Sequence, residues 1–250
     1  MVTDKDQANQ TDYELINSLS VAAFDLDGRI FRTLWHSFIR APEVALAAIK
    51  GDYTRYISPI RVVIALVGVQ FAVAAIFGTP MTLSVETLSA GLEAERLAGW
   101  LNGHDIITVD RALEDAMSLL IWPITLASSL PYLILLKLYR PSLKFWTHVC
   151  VFLVPTNAST FAFVLLIPAF MLSDSVVLIA FITMLVVYFA TTGWLIARFY
   201  SRSILGTVLR IAGLVLLLPV SLIISSIGQA LAAGWILDSQ FGLSLLDLFQ

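Results

Sequence analysis

An unpaired polar group is costly in hydrocarbon, so the polar side chains set within long apolar runs are where this chain could do chemistry. The densest group is Thr156-Asn157 with Ser159-Thr160, just after Pro155. Gln70 stands in an earlier run, and Ser225, Ser226 and Gln229 in the last. Thr156, Asn157, Thr160, Gln70 and Gln229 make up a candidate polar intramembrane site. On one reading they line a pocket at mid-membrane around a kinked helix, as broken helices do in transporters. On the other they are interhelical hydrogen bonds, worth only about half to two kcal/mol each. No acidic residue lies in the middle of an apolar run, which speaks against a proton- or cation-coupled mechanism.

Catalytic and metal chemistry find little support. The histidines, His36, His104 and His148, are scattered and form no His-Glu-x-x-His pair. His104-Asp105 lacks further ligands, and His148 reads as a hydrogen-bonded structural residue. There is no Gly-x-Ser-x-Gly elbow, no phosphate-binding glycine loop and no Cys-x-x-Cys. The lone Cys150 allows no internal disulfide and suits a buried small hydrophobe. The expectation is therefore no catalytic residue, no cofactor and no metal, with enzyme the weakest functional class.

The elements that must position the polar group are five apolar stretches, at about 60–77, 117–136, 145–172, 176–196 and 211–237. Each approaches the ~20 residues that a helix needs to cross about 30 Å of hydrocarbon. Hydrophobic residues make up 58% of the chain and charged residues 13%, with mean hydropathy +0.86. Soluble domains are nearer one half and one quarter, so the excess belongs to the spans. The expected fold is all-α: a polytopic bundle of five transmembrane helices over 58–237, with an external loop at 79–116. A polar tail at 1–27, an interfacial segment at 28–57 and an external tail at 238–250 complete it. The acidic first residues carry neither a basic n-region nor an apolar h-region, so no cleaved signal is expected.

Charge sorts by side. Arg32, Arg40, Lys50, Arg55 and Arg61 precede the first stretch; Lys137, Arg140 and Lys144 follow the second; Arg198, Arg202 and Arg210 follow the fourth. The other connections are acidic on balance. Lys and Arg stay on the cytoplasmic side, so the N-terminus is expected inside and the C-terminus outside.

Between the spans the sequence suggests further structure. Ile30, Phe31, Leu34, Trp35, Phe38 and Ile39 recur at helical spacing with Arg32 and Arg40 off the stripe. Such a helix lies in the headgroup layer, with Arg32, Trp35, Arg40 and Arg55 as membrane-surface contacts, or packs on the inner ends of the spans. Pro42 and Gly51 bracket a short second helix. The external loop has helical character at Val85–Leu97 and Val109–Met117, turned at Asn102-Gly103. The length of the third stretch predicts tilt or a break near Pro155. Ser226, Ala230 and Gly234 form a helix-packing face within the bundle or toward another protein. The exits Lys137–Ser142 and Arg198–Ser203 echo one another, as two related hairpins would.

The order Phe31-Arg32-Thr33-Leu34, Arg40-Ala41-Pro42-Glu43, then Lys50-Gly51-Asp52-Tyr53-Thr54-Arg55-Tyr56-Ile57-Ser58-Pro59 resembles the opening of a family of uncharacterised bacterial inner-membrane proteins, classed as a domain of unknown function. That family shows Pro-Gly…Gly-x-x-x-Arg-Tyr-x-x-Pro before its first span; here Glu43 stands in place of the glycine. Trp146-Thr147-His148 resembles its aromatic-Glu-His stretch, with Thr147 replacing the acid. The resemblance implies a bacterial inner-membrane location and no assigned activity.

Two functional classes follow. The first is a non-catalytic accessory, scaffold or assembly subunit, whose partners are the lipid bilayer and other membrane-protein subunits, with no nucleic acid. The second is a small transporter, channel or lipid-handling protein centred on the polar group after Pro155.

Overall fold

The computed structural model describes residues 28–77, 84–89, 93–171 and 174–249; the expected tail at 1–27 lies outside them. Among the described residues the chain is helical and has no strand. Helix α1 covers 28–39, followed by α2 (Ala41–Lys50), α3 (Pro59–Ile76), α4 (Val85–Leu88) and α5 (Ala94–Leu101). Then come α6 (Ile106–Ser128), α7 (Leu130–Tyr139), α8 (Phe145–Leu166), α9 (Asp174–Phe199) and α10 (Ile204–Phe241). Tight 3-10 turns close α8 at Ile167–Met171 and the chain at Asp247–Phe249. Four helical segments are long and apolar enough to cross a membrane: Ile106–Tyr139, Phe145–Ala169, Val176–Phe199 and Ile204–Phe241. This is compatible with a membrane protein. The apolar helix before them is shorter, so helix length alone supports four spans where the sequence predicts five.

Proline chemistry explains where the long helices change. Pro131 stands in the first turn of α7 and has no N–H to offer the turn before it, so α6 ends at Ser128. The hydroxyls of Ser128 and Ser129 donate to the carbonyls of Thr125 (2.8 Å) and Leu126 (2.6 Å), satisfying acceptors beside the break. In α8 the expected break near Pro155 does not occur: the helix runs on through it. The change comes at Ile167, one residue before Pro168. Pro219 likewise sits inside α10, whose 38 residues rise roughly 57 Å at 1.5 Å per residue.

Helix α8 is the axis of the bundle. It packs against α9, α3, α2 and α7, while α10 closes the other side against α6, α9 and α7. The echoed exits are joined crosswise. Tyr139 at the end of α7 donates its hydroxyl to the Arg210 carbonyl of α10 at 2.9 Å. Tyr200, past the end of α9, shares a 2.5 Å hydrogen bond with buried His148 of α8. Helix α10 approaches its neighbours closely at two glycines: at Gly228 a Cβ would stand 2.8 Å from Ile124 Cγ2 of α6, and at Gly213 it would stand closer still to the Tyr139 hydroxyl of α7. Ser226 and Ala230 of the expected packing face are exposed, and Gly234 is in ordinary contact distance of Leu245. Within this chain the close approaches of α10 are at Gly213 and Gly228.

The far end is a folded cap. Trp100, Val109, Leu113 and Met117 bury themselves with Ala233, Ile236, Leu237, Leu243 and Leu248. Trp100 Nε1 donates to the Ser244 carbonyl at 2.8 Å, tying the C-terminal segment to α5. The turn at Asn102 (φ 48°) and Gly103 (φ 87°) uses left-handed backbone, as Asn-Gly permits. Asp105 caps α6 through Thr108, and His104 Nε2 lies 3.2 Å from the Phe241 carbonyl. The last residues are therefore part of the cap, where the sequence suggested only a tail.

At the other end α2 lies beside the first turns of α8: Trp146 Nε1 donates to the Ala48 carbonyl at 3.1 Å. Gly51, in left-handed conformation (φ 72°), caps α2 and turns the chain. Helix α3 starts further along, where Asn157 Nδ2 donates to the Pro59 carbonyl at 3.0 Å. Eleven residues of α8 separate these anchors, roughly 16 Å. So α2 and α3 stand end to end along α8.

Candidate functional site

Where α3, α6, α7, α8, α9 and α10 converge they line a half-open cavity of about 340 Å³. Its walls are mostly apolar: Phe71, Trp122, Phe152, Phe163, Met184, Leu185 and Leu218. Into this surface each helix contributes a polar side chain. Gln70 comes from α3, Thr125 and Ser128 from α6, Tyr132 from α7, Thr156, Ser159 and Thr160 from α8, Tyr188 from α9 and Ser221 from α10, with Ser129 from the α6–α7 break. None of the lining residues is charged. Helix α3 packs on α8 and its 3-10 turn, and α6 packs on α10 and α7, so Gln70 and Thr125 reach the cavity from opposite sides.

The hydrogen bonds give this lining a definite character. Thr125 donates to the Ile121 carbonyl at 2.7 Å, Thr156 to Phe152 at 2.8 Å and Ser159 to Thr156 at 3.0 Å. Ser128 and Ser129 do the same beside the proline break. Five hydroxyls thus commit their protons to their own helices and keep lone pairs for the cavity. Gln70 Oε1 and Ser221 Oγ are buried and have no hydrogen-bond partner. Leaving such atoms unpaired costs about 1–3 kcal/mol each. The site is neutral and rich in hydroxyls, and its unpaired buried groups can both accept and donate.

Of the residues singled out from sequence, the structure brings Gln70, Thr156 and Thr160 together at this cavity. Asn157 is buried on another side of α8, where it anchors the start of α3, and its Oδ1 has no partner. Gln229 lies elsewhere, donating to Ser225 one turn back in its own helix at 3.1 Å. The residues that sequence reasoning passed over are Thr125, Ser128, Ser129, Tyr132, Tyr188 and Ser221. The Ser128-Ser129 pair just before Pro131 was the available signal, because a broken helix collects hydroxyls. Tyr132, Tyr188 and Ser221 are single polar residues in apolar runs, and only the packing groups them.

The basic residues near the start of the described chain are at the surface. Arg32, Trp35, Arg40 and Arg55 are all exposed. Arg40 lies 3.7 Å from Glu43, and Arg55 stands over the Tyr56 ring at 5.4 Å. Tyr56 is buried and shares a 2.7 Å hydrogen bond with His36 Nδ1, while Thr33 Oγ1 accepts from the Ile57 N–H at 3.0 Å. Burial raises the Tyr56 hydroxyl above its ordinary range. Burial, then the charges of Arg40 and Arg55, hold the His36 imidazole below its ordinary value, with Glu43 acting the other way. Asp52 is held low by the hydroxyl and N–H of Thr54. Every residue of the Gly-x-x-x-Arg-Tyr-x-x-Pro stretch that the resemblance rests on has a structural task. Gly51 caps α2, Arg55 covers Tyr56, Tyr56 binds His36, and Pro59 opens α3 where Asn157 holds it.

Among the described residues no cluster of three or more His, Cys, Asp or Glu is placed to hold a metal ion. No curated protein and no solved structure matched the chain. Residues 27–71, which run from α1 into α3, match the family described as "Protein of unknown function (DUF3667)".

Proposed function

We propose that this chain is a lipid-handling membrane protein whose central cavity holds an uncharged, hydroxyl-bearing amphiphile. The observation that carries the reading is the neutral, hydroxyl-rich cavity, with Gln70 Oε1 and Ser221 Oγ buried and unpaired among aromatic walls. The Gln70 oxygen accepts and the Ser221 hydroxyl both accepts and donates, a pairing that suits a ligand hydroxyl, which does the same. The absence of charge from the lining disfavours ions, and the apolar walls favour a hydrocarbon tail.

The same proposal takes the frame to be a bacterial inner membrane crossed five times, N-terminus inside and C-terminus outside. The crossing before the four long segments is the apolar stretch at about 60–77, nearly all of it α3. Helix α1 lies as an interfacial helix, which agrees with the exposed row Phe31 (62%), Trp35 (52%) and Ile39 (47%).

The test is mild-detergent extraction of the tagged chain, with mass spectrometry of everything that leaves with it. A hydroxyl-bearing lipid is expected with the native protein and strongly depleted in the cavity-filling variants Ser221→Leu and Gln70→Leu. An identical lipid complement in all three rejects the reading. The second reading, an accessory subunit, is favoured by the exposure of Ser226 and Ala230 on α10. It predicts a stoichiometric second chain in the same extract.

A further inference from the structure

The two echoed exits meet in a second concavity, of about 410 Å³, far from the first and of opposite character. It is lined by Arg140, Arg202, Arg210, Tyr200, Ser201 and Ser203. Among the described residues, none of the three guanidinium groups pairs with a carboxylate. Arg140 donates to the Phe199 carbonyl at the end of α9. Arg210 donates to the Gly206 carbonyl at 3.0 Å and lies 5.7 Å over the Tyr139 ring. Its Nε is buried without a partner, and Arg202 is exposed.

Three like charges gathered around one polar hollow repel one another unless an anion joins them. Gly206 keeps the hollow open: a Cβ there would stand 2.6 Å from Ser201 Oγ and 3.0 Å from both Ser203 Oγ and Arg210 Nη1. Beside the hollow, Ile204 (86%), Leu205 (69%) and Leu138 (68%) are exposed and apolar. A polar cradle is thus set at the rim of an apolar outer surface. Arginine forks match phosphate oxygens in geometry and charge.

We propose that the Arg140–Arg202–Arg210 hollow binds a phosphate group, either the headgroup of an anionic phospholipid or inorganic phosphate. The exposed apolar rim favours the lipid, whose chains would lie along Ile204 and Leu205. The site is independent of the central cavity and takes a ligand of opposite chemistry.

The experiment is native mass spectrometry of the full chain with added phosphatidylglycerol or phosphatidylcholine. It is run on the native protein, on Arg202→Gln and on Arg198→Gln. Arg198 is an exposed neighbour that does not line the hollow, and it controls for general surface charge. The expected result is preferential retention of phosphatidylglycerol, reduced about tenfold by Arg202→Gln and unchanged by Arg198→Gln. A second arm follows thermal unfolding through reaction of buried Cys150 with a thiol dye, in phosphate and in chloride at equal ionic strength. Stabilisation by phosphate that Arg202→Gln abolishes, without lipid preference, assigns the site to the soluble anion. Gly206→Ala, which keeps all three arginines in the chain but crowds Ser201 and the Arg210 guanidinium within the hollow, is expected to weaken whichever binding is seen. Neither lipid preference nor phosphate stabilisation, or equal losses in both arginine variants, overturns the proposal.

Discussion

His36 shows how a single titratable group sets the behaviour of the segment before the spans. Its imidazole meets the Tyr56 hydroxyl, and burial with Arg40 and Arg55 nearby disfavours its proton. The unfolded chain takes up that proton near 6.5, and the folded chain resists it until a lower pH. Its contribution to stability is therefore complete above that value, erodes as pH falls toward the lowered folded value, and changes no further below it. Acidification from about pH 7.5 to about pH 5.5 is expected to lower the thermal midpoint of the native chain more than that of His36→Gln. The Cys150 dye reaction reports both midpoints, and parallel losses would show that His36 is not the group responsible. This pairing was not legible in the sequence, because His36 and Tyr56 lie twenty residues apart and belong to different elements. Only Gly51 as the turn between them was visible, since its left-handed backbone is a local requirement.

Among the elements, what the sequence disclosed follows from how local each cause is. The Asn102-Gly103 turn and the α2 caps rest on neighbours within a turn and were readable as residue pattern, whereas the cap helices fall at Val85–Leu88, Ala94–Leu101 and from Ile106, where the pattern suggested 85–97 and 109–117. Which small residues carry the closest helix approaches was not readable. Ser226, Ala230 and Gly234 have the spacing, yet within this chain α10 approaches its neighbours most closely at Gly213 against Tyr139 and at Gly228 against Ile124. Helical spacing specifies a stripe, and the rotation of α10 about its axis is fixed by everything that α10 touches. Asn157 of the polar intramembrane group falls away from the cavity for the same reason: Thr156 and Asn157 are adjacent, so they point to different sides of α8. Gly228→Ala forces the β-branched Ile124, or the helix itself, to move, at an expected cost of about 1–3 kcal/mol. Gly68→Ala meets nothing within 4 Å and is the matched control in α3, with no loss expected. Thermal midpoints of the two variants, compared with the native chain, decide it. Equal behaviour would mean that α6 and α10 are not held at this separation.

At the scale of the whole molecule, charge and length define a slab. Along α9, Asp174 and Arg198 stand roughly 36 Å apart; along α6 and α7, Asp115 and Lys137 stand roughly 33 Å apart. Both intervals bracket a hydrocarbon core of about 30 Å. Lys137, Arg140, Lys144, Arg198 and Arg202 all fall at the end where Trp146 holds Ala48. At the opposite end Asp110 accepts from the Val85 N–H at 2.6 Å, inside the folded cap. Lys50 thus stands at one end of the bundle and Val85 at the other, although α3 begins part of the way along α8. That separation, and not the length of α3, is the argument for a fifth crossing. In a Cys150→Ser background, cysteine at Lys50 and at Arg198 is expected to react with an impermeant thiol reagent only after cells are permeabilised. Cysteine at Asp238 is expected to react in intact cells. If the Lys50 position instead reacts in intact cells while Arg198 does not, the passage before α4 is no crossing. If all three positions reverse, the arginine-rich end faces outward, and the charge rule has failed for this chain.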